Sequence, residues 1–160
     1  MVFSDHAFAK PRQVAKHEDW TVLCDRQAPE CYLAQTIRAP SNQRLKILGF
    51  PADYESRPEV AAGFTITFPK NVFLGSGVIM SVDGQDHLKY NFSFCDSKGC
   101  HAQIGVRKST LNRLKHGNIA QVLFHTTGNN GAVQKANFSL KGFAAALEDL
   151  RKRQRVLQAK

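Results

Sequence analysis

Two pairs of cysteines constrain this sequence most, because each pair brackets a short polar loop between two apolar stretches. One pair lies in WTVLCDRQAPECYLAQ and the other in NFSFCDSKGCHAQIGV. In each, one cysteine ends a predicted strand and the next begins the returning strand, which would bring the two within bridging distance. The pattern therefore predicts two local disulfides, Cys24 with Cys31 and Cys95 with Cys100.

Other roles for the four cysteines stay open at the level of sequence. Four cysteines admit several connectivities, and a crossed bridge from Cys24 to Cys95 would close a longer loop. A zinc site with His101 or His87 is a further alternative, although the six residues inside the first pair exceed the roughly two to four of zinc motifs. A catalytic dithiol would need about two. Disulfides would place the chain in an oxidising compartment.

The apolar residues recur mostly with the two-residue period of strands. Phe64, Ile66 and Phe68 alternate with threonines, and Tyr90, Phe92 and Phe94 alternate in the same way, as half-buried strands do. The predicted strands cover residues 20–24, 31–38, 45–50, 64–68, 78–82, 90–94, 102–106, 121–127 and 133–140.

Two segments instead have helical signals. STLNRLKHGN predicts a short helix, and SLKGFAAALEDLRKRQRVLQ predicts a longer C-terminal helix. At 160 residues the chain is most simply one domain with a buried core. The predicted fold is mainly β, an antiparallel β-sandwich or barrel-like single domain, with the two helices packed at its edge.

The positive charge is concentrated at the C-terminus. The net charge is +9, and the last ten residues hold five cations without an acid: Arg151, Lys152, Arg153, Arg155 and Lys160. Such a cluster suits an anionic surface, an acidic partner or nucleic acid, and it also suits the solvated end of a helix. We interpret the tail as a candidate interaction surface, with a nucleic-acid-binding module as the alternative function.

Motifs for catalysis are absent from the sequence. The six histidines are scattered and form no HExxH motif, and GSG at 75–77 precedes no predicted helix. Asp83, Asp86 and Asp96 have the surroundings of turn residues, and His101 is interpreted as a bystander beside a turn. We therefore predict no catalytic residues, no metal ligands and no cofactor. No apolar run approaches the roughly 20 residues of a membrane span.

Five stretches, taken in order, resemble the invasion-associated locus B family of bacteria. EDWTVLCDRQAPECYLAQ resembles its opening tryptophan, first cysteine and cysteine-aromatic-x-x-glutamine motif, and FPKNVFLGSGVIMSVDG its glycine-valine block. FSFCDSKGCHAQIGV, LNRLKHGNIAQVLF and FSLKGFAAALEDL resemble the segments that follow. The resemblance covers residues 19–150, which would form the domain, with 1–18 as a lead-in segment and 151–160 as a basic tail.

The resemblance implies an exported protein of the bacterial envelope, held together by cysteines at the four positions named above. It would be periplasmic, outer-membrane-associated or secreted, with a signal peptide already removed. Founding members of the family are linked to invasion of host cells, notably erythrocytes, by pathogenic alphaproteobacteria, and the family has no established catalytic residues. We therefore expect a non-enzymatic protein that acts through contacts with a protein or cell-surface partner.

Overall fold

The computed structural model describes residues 10–25, 27, 30–51, 58–128 and 131–159. These residues form strands, two α-helices and a short 3₁₀ turn at Leu74–Ser76. The strands are β1 Arg12–His17, β2 Trp20–Asp25, β3 Glu30–Arg38, β4 Arg44–Pro51, β5 Ala62–Phe68, β6 Val78–Val82, β7 Gln85–Tyr90, β8 Phe94–Asp96, β9 Gly99–Val106, β10 Ile119–His125 and β11 Val133–Ser139. The helices are α1 Lys108–His116 and α2 Phe143–Gln158.

The strands form two antiparallel sheets, which confirms the predicted mainly-β fold. The first sheet has seven strands in the order β1-β2-β3-β4-β5-β9-β8, and the second has four in the order β11-β10-β6-β7. In β5 the predicted alternation is observed, since Phe64, Ile66 and Phe68 are buried while the threonines between them are half-buried. Each sheet thus turns one apolar face inward.

A single hydrophobic cluster connects both sheets and both helices. Phe68 of β5 meets Phe124 of β10 edge-on, with ring centroids 5.0 Å apart. Trp20 of β2 meets Phe143 of α2 in the same way at 5.2 Å. Edge-to-face pairs of this kind add to the free energy of burial, so the aromatic residues fix how the layers are stacked.

Helix α2 lies across the first sheet rather than at its edge. It contacts β1, β2, β3 and β4, and it also packs against α1. Its apolar stripe is buried, with Phe143, Leu147 and Leu150 each at most 2% exposed. The helix runs to Gln158, so four of the cations predicted to form a tail lie within α2: Arg151, Lys152, Arg153 and Arg155. No helix among the described residues is long and apolar enough to cross a membrane.

Two elements differ from the sequence prediction. Residues 12–17, within the predicted lead-in segment, form β1 and pair with β2; the composition of RQVAKH hid this strand, because it is a polar edge strand with little buried surface. The predicted strand at 90–94 is interrupted, since β7 ends at Tyr90 and β8 begins at Phe94. Because β7 belongs to the second sheet and β8 to the first, the intervening residues carry the chain between the layers.

Candidate functional site

Both cysteine pairs form local disulfides. Cys24 and Cys31 are register partners on β2 and β3, and their Cα atoms lie 4.1 Å apart. Cys95 and Cys100 are register partners on β8 and β9, with Cα atoms 4.0 Å apart. In the part of the chain that the structure describes, no group of three or more His, Cys, Asp or Glu side chains could hold a metal ion.

Residues from two of the five family-like stretches meet at the backbone of Ser139, the last residue of β11. The indole Nε1 of Trp20 donates to the Ser139 carbonyl oxygen at 2.8 Å. Gln35 Nε2 donates to the same oxygen at 3.0 Å and to the Asp19 carbonyl at 3.2 Å, while its Oε1 accepts from the Ser139 N–H at 3.0 Å. We call this group, Trp20, Gln35 and Ser139, the inter-sheet clasp, because it fastens the second sheet to the first.

The turn between Ser139 of the clasp and the start of α2 directs the helix toward the first sheet. Gly142 has φ +81°, and a Cβ there would overlap the carbonyl oxygen of His17, so the turn into the helix requires glycine. Phe143 follows at once and packs between Trp20 and Phe64, 6.0 Å from the Phe64 ring. The start of α2 is therefore fixed in part by Trp20, which also belongs to the clasp.

The far end of α2 is fastened by polar contacts. Gln154 Oε1 accepts the backbone N–H of Cys31 at 2.7 Å. Asp149 lies 2.7 Å from His17 Nε2 and accepts from Arg153 Nε at 2.8 Å. Burial opposes ionisation of Asp149, but the hydrogen bonds from His17 and Arg153 outweigh it and hold the pKa of this carboxyl below its ordinary value. The helix end is thereby held against β1 and β3.

Four of the five predicted interaction residues, Arg151, Lys152, Arg153 and Arg155, lie in the second half of α2. Lys152 Nζ is 3.5 Å from Glu148 Oε1, and Arg153 is bonded to Asp149. Arg151 and Arg155 form no ion pair with any residue that the structure describes. Arg155 is exposed and Arg151 is half-buried. The fifth predicted residue, Lys160, falls outside the described residues.

A groove separates the last two turns of α2 from β1. It consists of two adjoining cavities of about 390 and about 320 Å³ that share Val14, Cys24 and Arg153. Within it Val14 is 37% exposed and Val156 is 59% exposed. We call it the cationic groove, and its lining residues are Arg12, Gln13, Val14, Cys24, Lys152, Arg153, Val156 and Leu157. The sequence predicted α2, which forms one side of the groove. It did not predict β1, which forms the other side.

A second arrangement missed from the sequence surrounds His101. Its Nδ1 lies 2.9 Å from Thr67 Oγ1 and its Nε2 lies 2.8 Å from Asp96 Oδ1. The hydrogen bond from His101, aided by the backbone N–H of Lys98, holds the pKa of Asp96 below its ordinary value. The imidazole is buried, and the ring of Phe94 covers it at 4.6 Å. His101 is thus no bystander, because it links β5, β8 and β9.

Hydroxyl, imidazole and carboxylate also follow one another in hydrolytic triads. Here, however, the Phe94 ring lies over the imidazole, and Asp96 additionally accepts the Lys98 N–H at 2.8 Å, as a turn aspartate does. We assign the Thr67, His101 and Asp96 chain a structural role. The signal for it in the sequence was the single histidine that follows Cys100 at the start of an alternating strand.

Comparison with known proteins agrees with the fold and the motifs. A search of curated proteins found no match. The crystal structure of invasion associated protein B from Bartonella henselae superposes with a TM-score of 0.75 at 17% identity, over 92% of this chain and 99% of that one. At that identity the likeness shows a shared fold. The family model described as "Invasion associated locus B (IalB) protein" matches residues 20–151, which is most of the chain. The chain therefore belongs to the invasion associated locus B family.

Proposed function

We propose that this chain is a non-enzymatic exported protein of the bacterial envelope, which acts by binding a negatively charged surface through the cationic end of α2. One observation carries the proposal: the cations of α2 project from a helix end that Gln154 and Asp149 hold against the first sheet. Such a surface presents its charges in a fixed arrangement, so binding would not have to order a flexible tail.

The compartment is part of the same proposal. Two disulfides among the described residues suit the oxidising periplasm, the cell surface or the exterior. The family name and the solved relative from Bartonella both refer to invasion, which supports a role at the contact between bacterium and host cell. Anionic lipid headgroups give a membrane surface the negative potential that this helix end would recognise.

The electrostatic contribution can be estimated from the free cations. Arg151 and Arg155 have no ion pair among the described residues, and each cation near an anionic surface contributes about 1 kcal/mol. Removing both would therefore weaken binding by about 30-fold, since about 1.4 kcal/mol corresponds to a factor of ten. Salt would weaken the binding of the unmodified protein because exposed charges are screened.

The test compares Arg151→Gln/Arg155→Gln with the unmodified protein in binding to isolated bacterial envelopes and to erythrocyte ghosts. Arg107→Gln/Lys108→Gln at the start of α1 is the matched control, because both residues are exposed and the change in charge is the same. We expect the α2 variant to lose binding and the α1 variant to keep it. Equal binding by the two double variants would overturn the proposed contact region.

The proposed compartment is tested separately. Fractionation of the producing bacterium should recover the protein outside the cytoplasm, and peptide mapping without reduction should find Cys24 joined to Cys31 and Cys95 joined to Cys100. Four free thiols in protein isolated from its native compartment would contradict export to an oxidising environment. Tight, salt-sensitive retention on DNA together with a cytoplasmic location would favour the nucleic-acid alternative instead.

A further inference from the structure

We propose that the cationic groove docks the protein on an anionic lipid bilayer, with Val14 and Val156 entering the interface while the flanking cations bind lipid headgroups. The inference rests on the proposed contact with a negatively charged surface and names that surface. It adds an apolar contribution that the cations alone do not supply. It also extends the contact from α2 to β1.

The shape of β1 presents Val14 to the groove. The pairing with β2 passes from Gln13 opposite Leu23 to Ala15 opposite Val22, which leaves Val14 without a partner on β2. A bulge of this kind redirects a side chain and bends the strand. Val14 consequently lines both cavities of the groove and faces the last turns of α2. The unpaired position in an edge strand thus places an exposed apolar side chain beside Val156.

The charged side chains that line the groove are cationic, and two of them, Lys152 and Arg153, are paired with Glu148 and Asp149 of α2. Arg12 lines the groove from β1, and Lys152 and Arg153 line it from α2. Among the residues that the structure describes, no acidic side chain lines either cavity. An apolar surface rimmed by arginine and lysine matches the interface of an anionic bilayer, where phosphates lie above hydrocarbon. Arginine also binds phosphate oxygens with two parallel hydrogen bonds.

A peptide fits this groove less well than a lipid does. The larger cavity is walled by Val14, Val156, Leu157, Cys24 and the stems of two cationic residues, so a bound peptide backbone would leave polar groups unpaired there. Strand addition to the edge of β1 is opposed by the bulge at Val14 and by the cations on that strand. Acyl chains need no hydrogen bonds, and the headgroup needs only the cations at the rim.

The test measures co-sedimentation with phosphatidylcholine vesicles made with and without phosphatidylglycerol. We expect binding only to the phosphatidylglycerol vesicles. Val156→Ser should weaken it by about fivefold, because it removes one partly buried apolar side chain from the interface. Val133→Ser, at a residue 51% exposed at the start of β11, is the matched control and should bind as the unmodified protein does. Circular dichroism verifies that both variants are folded.

The charge contribution is tested with Arg12→Gln/Lys152→Gln against Arg107→Gln/Lys108→Gln. The groove variant should lose binding by about tenfold or more, and the control should not. If anionic vesicles bind Val156→Ser and Val133→Ser equally well, the groove does not enter the lipid interface. That result overturns the inference and leaves the proposed function standing.

Three further outcomes also count against lipid docking. Absence of vesicle binding, with envelope binding that still depends on Arg151 and Arg155, would overturn the lipid inference alone. Retention on polyglutamate that depends on Val156, without any vesicle binding, would identify an acidic polypeptide as the occupant. If neither vesicles nor envelopes are bound, the proposed function fails together with the inference.

Discussion

Replacing Gln35 by glutamate should make the stability of the protein depend on pH in a way that the clasp geometry dictates. Gln35 is 8% exposed, and its Nε2 donates to two carbonyl oxygens, those of Asp19 and Ser139. In Gln35→Glu a carboxylate oxygen would replace the amide Nε2. An ionised carboxylate has no proton to donate, so it could not form a hydrogen bond with either carbonyl oxygen. Two partly buried hydrogen bonds would be lost, at about 1 to 2 kcal/mol each.

The magnitude sets the pH window. A penalty of about 3 kcal/mol on the ionised form raises the pKa of the introduced carboxyl from about 4.3 to about 6.5 in the folded state. A carboxyl whose pKa is raised by folding binds more protons in the folded state, so stability falls as pH rises between these two values. Below about pH 4 the protonated acid can donate to one carbonyl, and most of the loss should disappear.

Urea unfolding followed by the fluorescence of Trp20, the one tryptophan, measures this between pH 4 and pH 8. Gln103→Glu is the matched control, because Gln103 is exposed on β9. Gln35→Met should be destabilised by about 2 to 4 kcal/mol at every pH, since it leaves the Ser139 N–H unpaired. If Gln35→Glu at pH 7 is as stable as Gln103→Glu, the clasp does not hold the two sheets together as argued.

Three further predictions concern the features that hold the site in place. Replacing Cys95 and Cys100 together by serine should lower the free energy of unfolding by about 2 kcal/mol, as loop entropy predicts; an unchanged urea midpoint would contradict this. Asp149→Asn should cost about 1 kcal/mol at pH 7. Because the wild-type pKa is lowered, that difference should persist above about pH 4 and vanish as the carboxylate becomes protonated at lower pH; urea titrations at several pH values measure it. Gly142→Ala should cost more than about 1 kcal/mol in a thermal melt, because φ is +81° and the Cβ meets the His17 carbonyl; equal melting temperatures would refute the assigned strain.

Local patterns in the sequence were sufficient to predict the strands and helices that have one buried face. The alternation around Ile66 predicted β5, because a strand with one buried face must alternate. The apolar stripe of Phe143, Leu147 and Leu150 predicted α2, because a helix with one buried face has apolar residues three or four positions apart. Both disulfides join residues fewer than ten positions apart, so the strand-loop-strand pattern around each pair predicted the pairing that the structure has.

Local patterns did not predict the roles of the polar residues. Gln35 belongs to a motif that resembles the family, yet nothing in CYLAQ indicates that its amide bonds a residue 104 positions away. His101 was interpreted as a bystander because its partner Thr67 lies on another strand. Tyr90 to Phe94 alternates like one strand, but the chain changes sheets there. In each case the contact that decides the role is with a residue distant in sequence.

The sequence by itself thus determined the strands with a buried face, both helices and the family, and it favoured the local disulfides without excluding the alternatives. Only the tertiary structure decided that β1 lies beside α2, and so that Val14 and Val156 form opposite walls of one groove. The physical reason is that an alternating pattern records which side of an element is buried, whereas it does not record what covers that side. The covering partner is chosen by the packing of the whole core, and here that packing brings the two ends of the described chain together.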